Sequence, residues 1–174
     1  MTRIILVIAA LCGGVLPAAA QVSAGLNELG GRGFIESGKY SNEDDASSAI
    51  EVQSYYGRFL TDRWSVGPSL NVIKFEGEDA QGGIAGFVNY HFGDTSGTVI
   101  PFIEGSAGRF FGGDQDPTFV AVGPGLKWFF GDGGGALTGT AFYRRQMFDE
   151  DDPPFASGVN EFGLNIGVAI FFGR

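Results

Sequence analysis

The sequence predicts an all-β protein, a single eight-stranded antiparallel up-and-down transmembrane β-barrel. Three observations lead there. Eight segments of roughly 10 to 15 residues alternate apolar with polar or small positions, the period-two signature of strands with two unlike faces. The connections between them are alternately short and long. Charged residues collect on one strand face, while aromatics gather near the strand ends of the other.

Ahead of the strands, residues 1–20 carry Arg3, an apolar run from Ile4 to Val15, Pro17 and the small residues Ala18, Ala19 and Ala20. This is the pattern of a secretory signal peptide cut before Gln21, and the run is shorter than the roughly 20 residues of a spanning helix. Residues 21–174 are then one exported domain. Cys12, the only cysteine, lies in the leader behind Leu11, where a lipoprotein would need a small residue. The mature chain therefore has no disulfide, thiol nucleophile or cysteine metal site. It carries 10 Lys and Arg against 20 Asp and Glu, a formal charge of −10, which excludes nucleic acid as a partner. Thirty glycines and seventeen phenylalanines suit short strands and tight turns, and no stretch has a convincing amphipathic-helix period.

The first strand, 26–37, places Glu28, Arg32 and Glu36 on one face; the second, 48–60, sets Glu51 and Gln53 against Ile50 and Val52. The third, 64–75, opens on Trp64 and continues through Val66, Leu70 and Val72, and the fourth, 82–92, through Ile84, Val88, Tyr90 and Phe92. The fifth, 98–111, opposes Glu104 to Ile103; the sixth, 118–130, opposes Lys127 to Val120, Val122, Leu126 and Trp128. Arg144 lies on the polar face of the seventh, 136–147, and Glu161 on that of the eighth, 158–172, whose other face carries Leu164, Ile166, Val168, Ile170 and Phe172. "TDR", "GDTSG" and "GDGGG" make the short connections, mostly rich in the Gly and Asp of tight turns. "GKYSNEDDAS", "EGEDAQ", "GGDQDP" and "DEDDPP" make the long ones, all at one end of a meander. Both termini then lie at the short-turn end.

Alternation alone does not separate a water-soluble barrel, such as a lipocalin-like periplasmic carrier with apolar residues inside, from a membrane barrel with them outside. Charge deep within strands favours the membrane form, because a narrow barrel can hold Glu28, Arg32, Glu36, Glu51, Glu104, Lys127, Arg144 and Glu161 as a paired lumen network. So do Tyr56, Trp64, Tyr90, Phe92, Trp128, Phe130 and Phe172, placed where interfacial girdles lie. Arg58, Lys74, Arg109 and Arg145 share the apolar parity but fall toward strand ends, within reach of headgroups. About eleven residues at ~3.3 Å each, tilted near 45°, cover a ~25 Å band.

The closing "NIGVAIFF", with Asn165, Gly167, Ile170 and Phe172, resembles the C-terminal signal by which outer-membrane barrels are handed to their assembly machinery. The mature chain as a whole resembles the eight-stranded barrel domain of the OmpA-like and OmpX-like superfamily of Gram-negative bacteria. "YYGRFLTDRWSVGPSL" (Tyr55 to Leu70) is similar to that family's aromatic-Leu-Thr-Asp hairpin, and "PFIEGSAGRFF" and "GPGLKWFF" fall where its comparable strands do. Gly173 and Arg174 follow the aromatic on which family members usually end. The resemblance implies an outer-membrane location, contact with membrane lipid and lipopolysaccharide, delivery by the barrel-assembly machinery, and a monomer.

Twelve acids sit in the long connections: Glu43, Asp44, Asp45, Glu76, Glu78, Asp79, Asp114, Asp116, Asp149, Glu150, Asp151 and Asp152, offset only by Lys39. Asp44, Asp45, Glu78, Asp79, Asp114, Asp116, Asp151 and Asp152 are candidate oxygen ligands for Ca²⁺ or Mg²⁺. No connection has EF-hand spacing, and the plainer reading is a solvated rim. His91, the only histidine, falls at the short-turn end, away from any nucleophile, so neither an enzyme nor a cofactor is expected. The expected role is structural or surface-interacting, with a narrow cation-preferring channel as the alternative.

Overall fold

A computed structural model describes residues 22–38, 47–75, 79–113, 116–130, 134–148 and 158–173. The expected leader, most acids of the long connections and the Glu36 side chain lie outside the described residues. Eight strands follow one another: β1 (Asn27–Gly38), β2 (Ser47–Phe59), β3 (Trp64–Phe75), β4 (Gln81–His91), β5 (Val99–Phe111), β6 (Thr118–Phe130), β7 (Gly135–Met147) and β8 (Val159–Phe172). Each end lies within a residue of its sequence-based expectation. Every strand pairs antiparallel with the next, and β8 returns to β1 from Asn27↔Phe172 to Gly33↔Ile166. Closure matters because an open edge would leave backbone N–H and C=O groups unpaired.

The barrel is inverted relative to a water-soluble one. Leu70, Ile166 and Phe162 are 59%, 62% and 75% exposed, whereas Glu28 and Lys127 are 0% and 1% exposed. Exposed Ile50, Val52, Val72, Ile84, Val120, Val122, Leu126 and Leu164 complete an apolar belt, far more than a soluble monomer presents to water. Near its short-turn edge Trp64, Tyr90 and Phe92 form a contiguous outward cluster, with ring centroids 4.8 and 4.9 Å apart.

The interior departs from the expected polar filling: much of it is aromatic. Large rings lie over cross-strand glycines, where nothing else fits. Tyr55 covers Gly30 and Phe102 covers Gly125, whose Cβ would stand 2.7 Å from Phe102 Cε1. Phe34 and Phe142 cover Gly163, whose Cβ would stand 2.6 Å from Phe142 Cζ. At these three positions glycine has a space-filling reason.

An apolar cluster lies toward each end of the lumen. At the long-connection end Ile73, Ala85, Phe110 and Phe119 cluster, the two rings stacked at 5.0 Å. At the short-turn end Phe59, Phe129 and Phe171 pack with Val22 and Leu26. These last two belong to a segment that turns at Gly25 (φ 87°) and is tied down by Gly25 N–H donating to Phe59 O at 2.8 Å and Ala24 N–H to Asp62 Oδ1 at 2.9 Å. In the 92–98 turn, the Ser96 hydroxyl and N–H donate to Asp94 Oδ1 and hold that carboxyl below its usual pKa.

Gly163→Val should overpack the Phe34–Phe142 seat and cost about 2 kcal/mol. Gly86→Ala, where a Cβ meets nothing within 4 Å, should be neutral. Urea unfolding in lipid vesicles measures both, and an unchanged Gly163→Val midpoint would contradict the packing account.

Candidate functional site

The lumen residues singled out by parity converge into three tiers. Nearest the short turns, Lys127 Nζ donates to Glu28 Oε2 at 2.5 Å, and Tyr55 Oη donates to Glu28 Oε1 at 2.9 Å. The ammonium also faces the rings of Phe59, Phe102 and Phe171 at 5.3, 5.2 and 5.6 Å, so π-faces supply the solvation that water would otherwise provide.

In the middle tier Arg32 grips Glu104 with both terminal nitrogens, Nη1 to Oε2 at 2.9 Å and Nη2 to Oε1 at 2.5 Å. Such a fork-to-fork pair fixes direction as well as charge. Its Nε donates to Gln53 Oε1, and Gln53 Nε2 passes the chain on to Ser69 Oγ at 3.1 Å. With its amide turned to donate, Asn89 also reaches Glu104 Oε2 at 3.2 Å.

In the upper tier Arg144 holds two carboxylates, Glu161 through Nε and Glu51 through Nη1 at 2.8 Å. Gln146 Nε2 donates to Glu161 Oε1 at 2.5 Å. Phe110, Phe119 and Phe142 surround the guanidinium at 5.3, 5.8 and 5.5 Å.

Each tier contains an ion pair between strands that are not hydrogen-bonded neighbours: β6 to β1, β1 to β5 and β7 to β2. The pairs therefore act as struts across the lumen. Among the described residues four buried acids face three buried bases. His91, 0% exposed, directs Nδ1 at the Arg63 carbonyl oxygen, 3.0 Å away, and packs between Phe59 and Phe102. Because a carbonyl only accepts, that hydrogen bond places the proton on Nδ1.

The candidate cation ligands do not come together in what is described. Asp79 and Asp116 are exposed, and Asp116 Oδ1 accepts from Gly112 N–H at 3.3 Å; Asp44, Asp45, Glu78, Asp114, Asp151 and Asp152 lie outside the described residues. Of the closing motif, Ile170 and Phe172 belong to the outward set, and Asn165 pairs in register with Thr140. Gly167 lies against β1, where a Cβ would stand 2.7 Å from Arg32 Cα. Sequence reasoning missed the aromatic shells around Lys127 and Arg144. Their signal was parity: Phe102, Phe110, Phe119 and Phe171 share the inward set with the charges.

Replacing Lys127 by Met strands the Glu28 carboxylate and should cost about 3–5 kcal/mol. Adding Glu28→Gln should recover much of that loss in a double-mutant cycle read by urea unfolding in vesicles. Additive losses would show that the pair is not coupled.

No protein-family model matches the sequence, and no curated protein matches it. Solved structures do. The N-terminal β-barrel domain of Pseudomonas aeruginosa OprF is similar at 18% identity and TM-score 0.58, over 86% of this chain and 98% of that one. Neisserial surface protein A matches at 16% and 0.53, over 84% and 96%, and Pseudomonas aeruginosa OprG at 14% and 0.53, over 90% and 99%. The chain thus has the fold of eight-stranded outer-membrane β-barrels, closed, antiparallel and with its apolar face outward.

Proposed function

We propose that the protein is an integral outer-membrane barrel with a closed lumen, acting as a structural or surface-interaction element of the envelope. The observation that carries this reading is the lumen itself, crossed by three ion-pair struts with an apolar cluster toward each end. Eight strands enclose a space that side chains alone can fill, and the buried charges and rings of this lumen support that reading. What the protein offers other molecules is then its outside: a lipid-facing belt and the acidic connections. In this reading those connections form the external rim, and their carboxylates attract divalent cations beside lipid phosphates. The β8 residues Asn165, Gly167, Ile170 and Phe172 serve as the address read by the barrel-assembly machinery, and the folded barrel is a monomer in contact with membrane lipid and lipopolysaccharide.

No catalytic step belongs to this account. The one histidine is packed between two rings at the short-turn end, its Nδ1 hydrogen committed to a backbone carbonyl. The four-to-three excess of buried acids would favour cations if the struts parted. A conducting state is therefore the alternative outcome of the test.

The membrane fraction should contain the protein in a form whose gel mobility shifts on boiling. Protease added to intact cells should cut only in the acidic connections near Asp44 and Asp151. Purified protein should insert into planar bilayers without conductance steps. Steps altered by Glu51→Gln, Glu104→Gln or Arg144→Gln would make it a channel, and an unshifted, soluble periplasmic protein would overturn the membrane reading.

A further inference from the structure

The outward face is selective in its charges. Every acid among the described strand side chains, Glu28, Glu51, Glu104 and Glu161, is buried inside. The charged strand residues facing out are all bases: Arg58, Lys74, Arg109 and Arg145. A cation on a face that meets hydrocarbon is costly unless its long side chain reaches an anionic group at the membrane surface. Three of the four, Lys74 on β3, Arg109 on β5 and Arg145 on β7, stand toward the long-connection end.

One of these cations heads a groove. On the outer surface of β3, β4 and β5 lies a shallow open depression of about 590 Å³ lined by Gly67, Pro68, Ile84, Gly86, Ala107 and Arg109. Its floor follows the pairing Pro68↔Gly86↔Ala107. The same register continues through Val120 to Arg145, so the row climbs from the short-turn half of β3 toward the long-connection end of β7. The row beneath carries Val66 and Val88, and the row above carries Leu70 and Ile84. Along β3 and β4 the depression is thus a trough between bulkier rows, and on β5 it opens downward past Gly105. Arg109 stands two residues beyond Ala107 at its upper end.

Among the described residues, the anion beside Arg109 is a weak match. Asp116 Oδ2 lies 3.8 Å from Nη2, beyond hydrogen-bond reach, and the two side chains are 55% and 43% exposed, while the other Asp116 oxygen accepts from Gly112 N–H. Exposed pairs of this kind contribute little. A phosphate, by contrast, accepts two parallel hydrogen bonds from a guanidinium.

We propose that this groove is a binding site for one phosphorylated lipid of the outer leaflet, its phosphate on Arg109 and an acyl chain lying along Ala107, Gly86 and Pro68. The assignment rests on the outward face meeting lipid, as set out under the proposed function. The cation and the apolar trough form a single continuous surface matched to such a molecule, head above and chain below.

The test is native mass spectrometry of the detergent-folded barrel incubated with phosphorylated lipid A, its dephosphorylated form, or phosphatidylcholine. One phosphorylated lipid should be retained, at least tenfold more tightly than the dephosphorylated form. Arg109→Gln should abolish that preference. Ala107→Leu, which fills the trough and leaves the charge, should weaken retention of both glycolipids. Arg58→Gln, at the opposite end of the barrel, should change nothing. Equal retention of the phosphorylated and dephosphorylated lipids, indifference to Arg109→Gln and Ala107→Leu, or a dimer formed through this face in place of a lipid adduct would each overturn the site. The same samples are run unboiled and boiled on a gel. A mobility shift without lipid retention defeats the site alone, whereas no shift defeats the membrane reading as well.

Discussion

Seven buried charges inside a narrow barrel leave the molecule little freedom. A carboxylate or ammonium removed from water costs several kcal/mol unless a partner and further hydrogen bonds replace its hydration. Glu28, Lys127, Arg32, Glu104, Arg144, Glu51 and Glu161 find those replacements only in one another and in the amides, hydroxyls and rings beside them. Lys127–Glu28, Arg32–Glu104 and Arg144–Glu51 join strands that are not neighbours, while Arg144–Glu161 joins adjacent β7 and β8, so the whole set of pairs forms only when the barrel is closed and in register. A slip of one residue between two strands would turn every charge of the slipped strand toward lipid. The interior therefore reports the register of all eight strands at once.

Packing reinforces the same solution. Lys127 and Arg144 are each flanked by three aromatic rings and Arg32 by Tyr55, and Tyr55, Phe102 and Phe142 find room because glycines stand opposite them. Gly30, Gly125 and Gly163 are as much a part of the ion-pair network as the charges, since a side chain at any of them would displace a ring. The apolar clusters toward the two ends, one of them including Val22 and Leu26, flank the pairs. Charge pairing and ring packing thus favour the same register of the closed sheet.

Much of this was legible in the chain. Period-two alternation and the strict sequence of short and long connections located all eight strands to within a residue, because strand parity is a local property. Placing Glu51, Glu104, Lys127 and Arg144 inside needed only parity plus the physical cost of charge in hydrocarbon. Which acid meets which base was not legible. Arg32 meets Glu104 across the lumen, 72 positions away, through the shear of the closed sheet rather than any spacing in sequence. The aromatic share of the interior was also missed, since phenylalanine is at home on either face. Arg109 was legible as a headgroup-reaching cation, but its groove emerges only when Pro68, Gly86 and Ala107 come side by side from three strands.

The central claim is that the apolar face meets lipid while the charges face one another inside. The chain supplies its own probes, since its two tryptophans, Trp64 and Trp128, both face outward near the short-turn end, 46% and 57% exposed. Fluorescence of the barrel folded into vesicles of brominated phospholipids measures where they lie. Bromines close to the headgroups should quench most strongly, bromines at the chain ends less, and aqueous iodide little. Strong quenching by iodide with none from any brominated lipid would mean that the outward face meets water, and the account would fail.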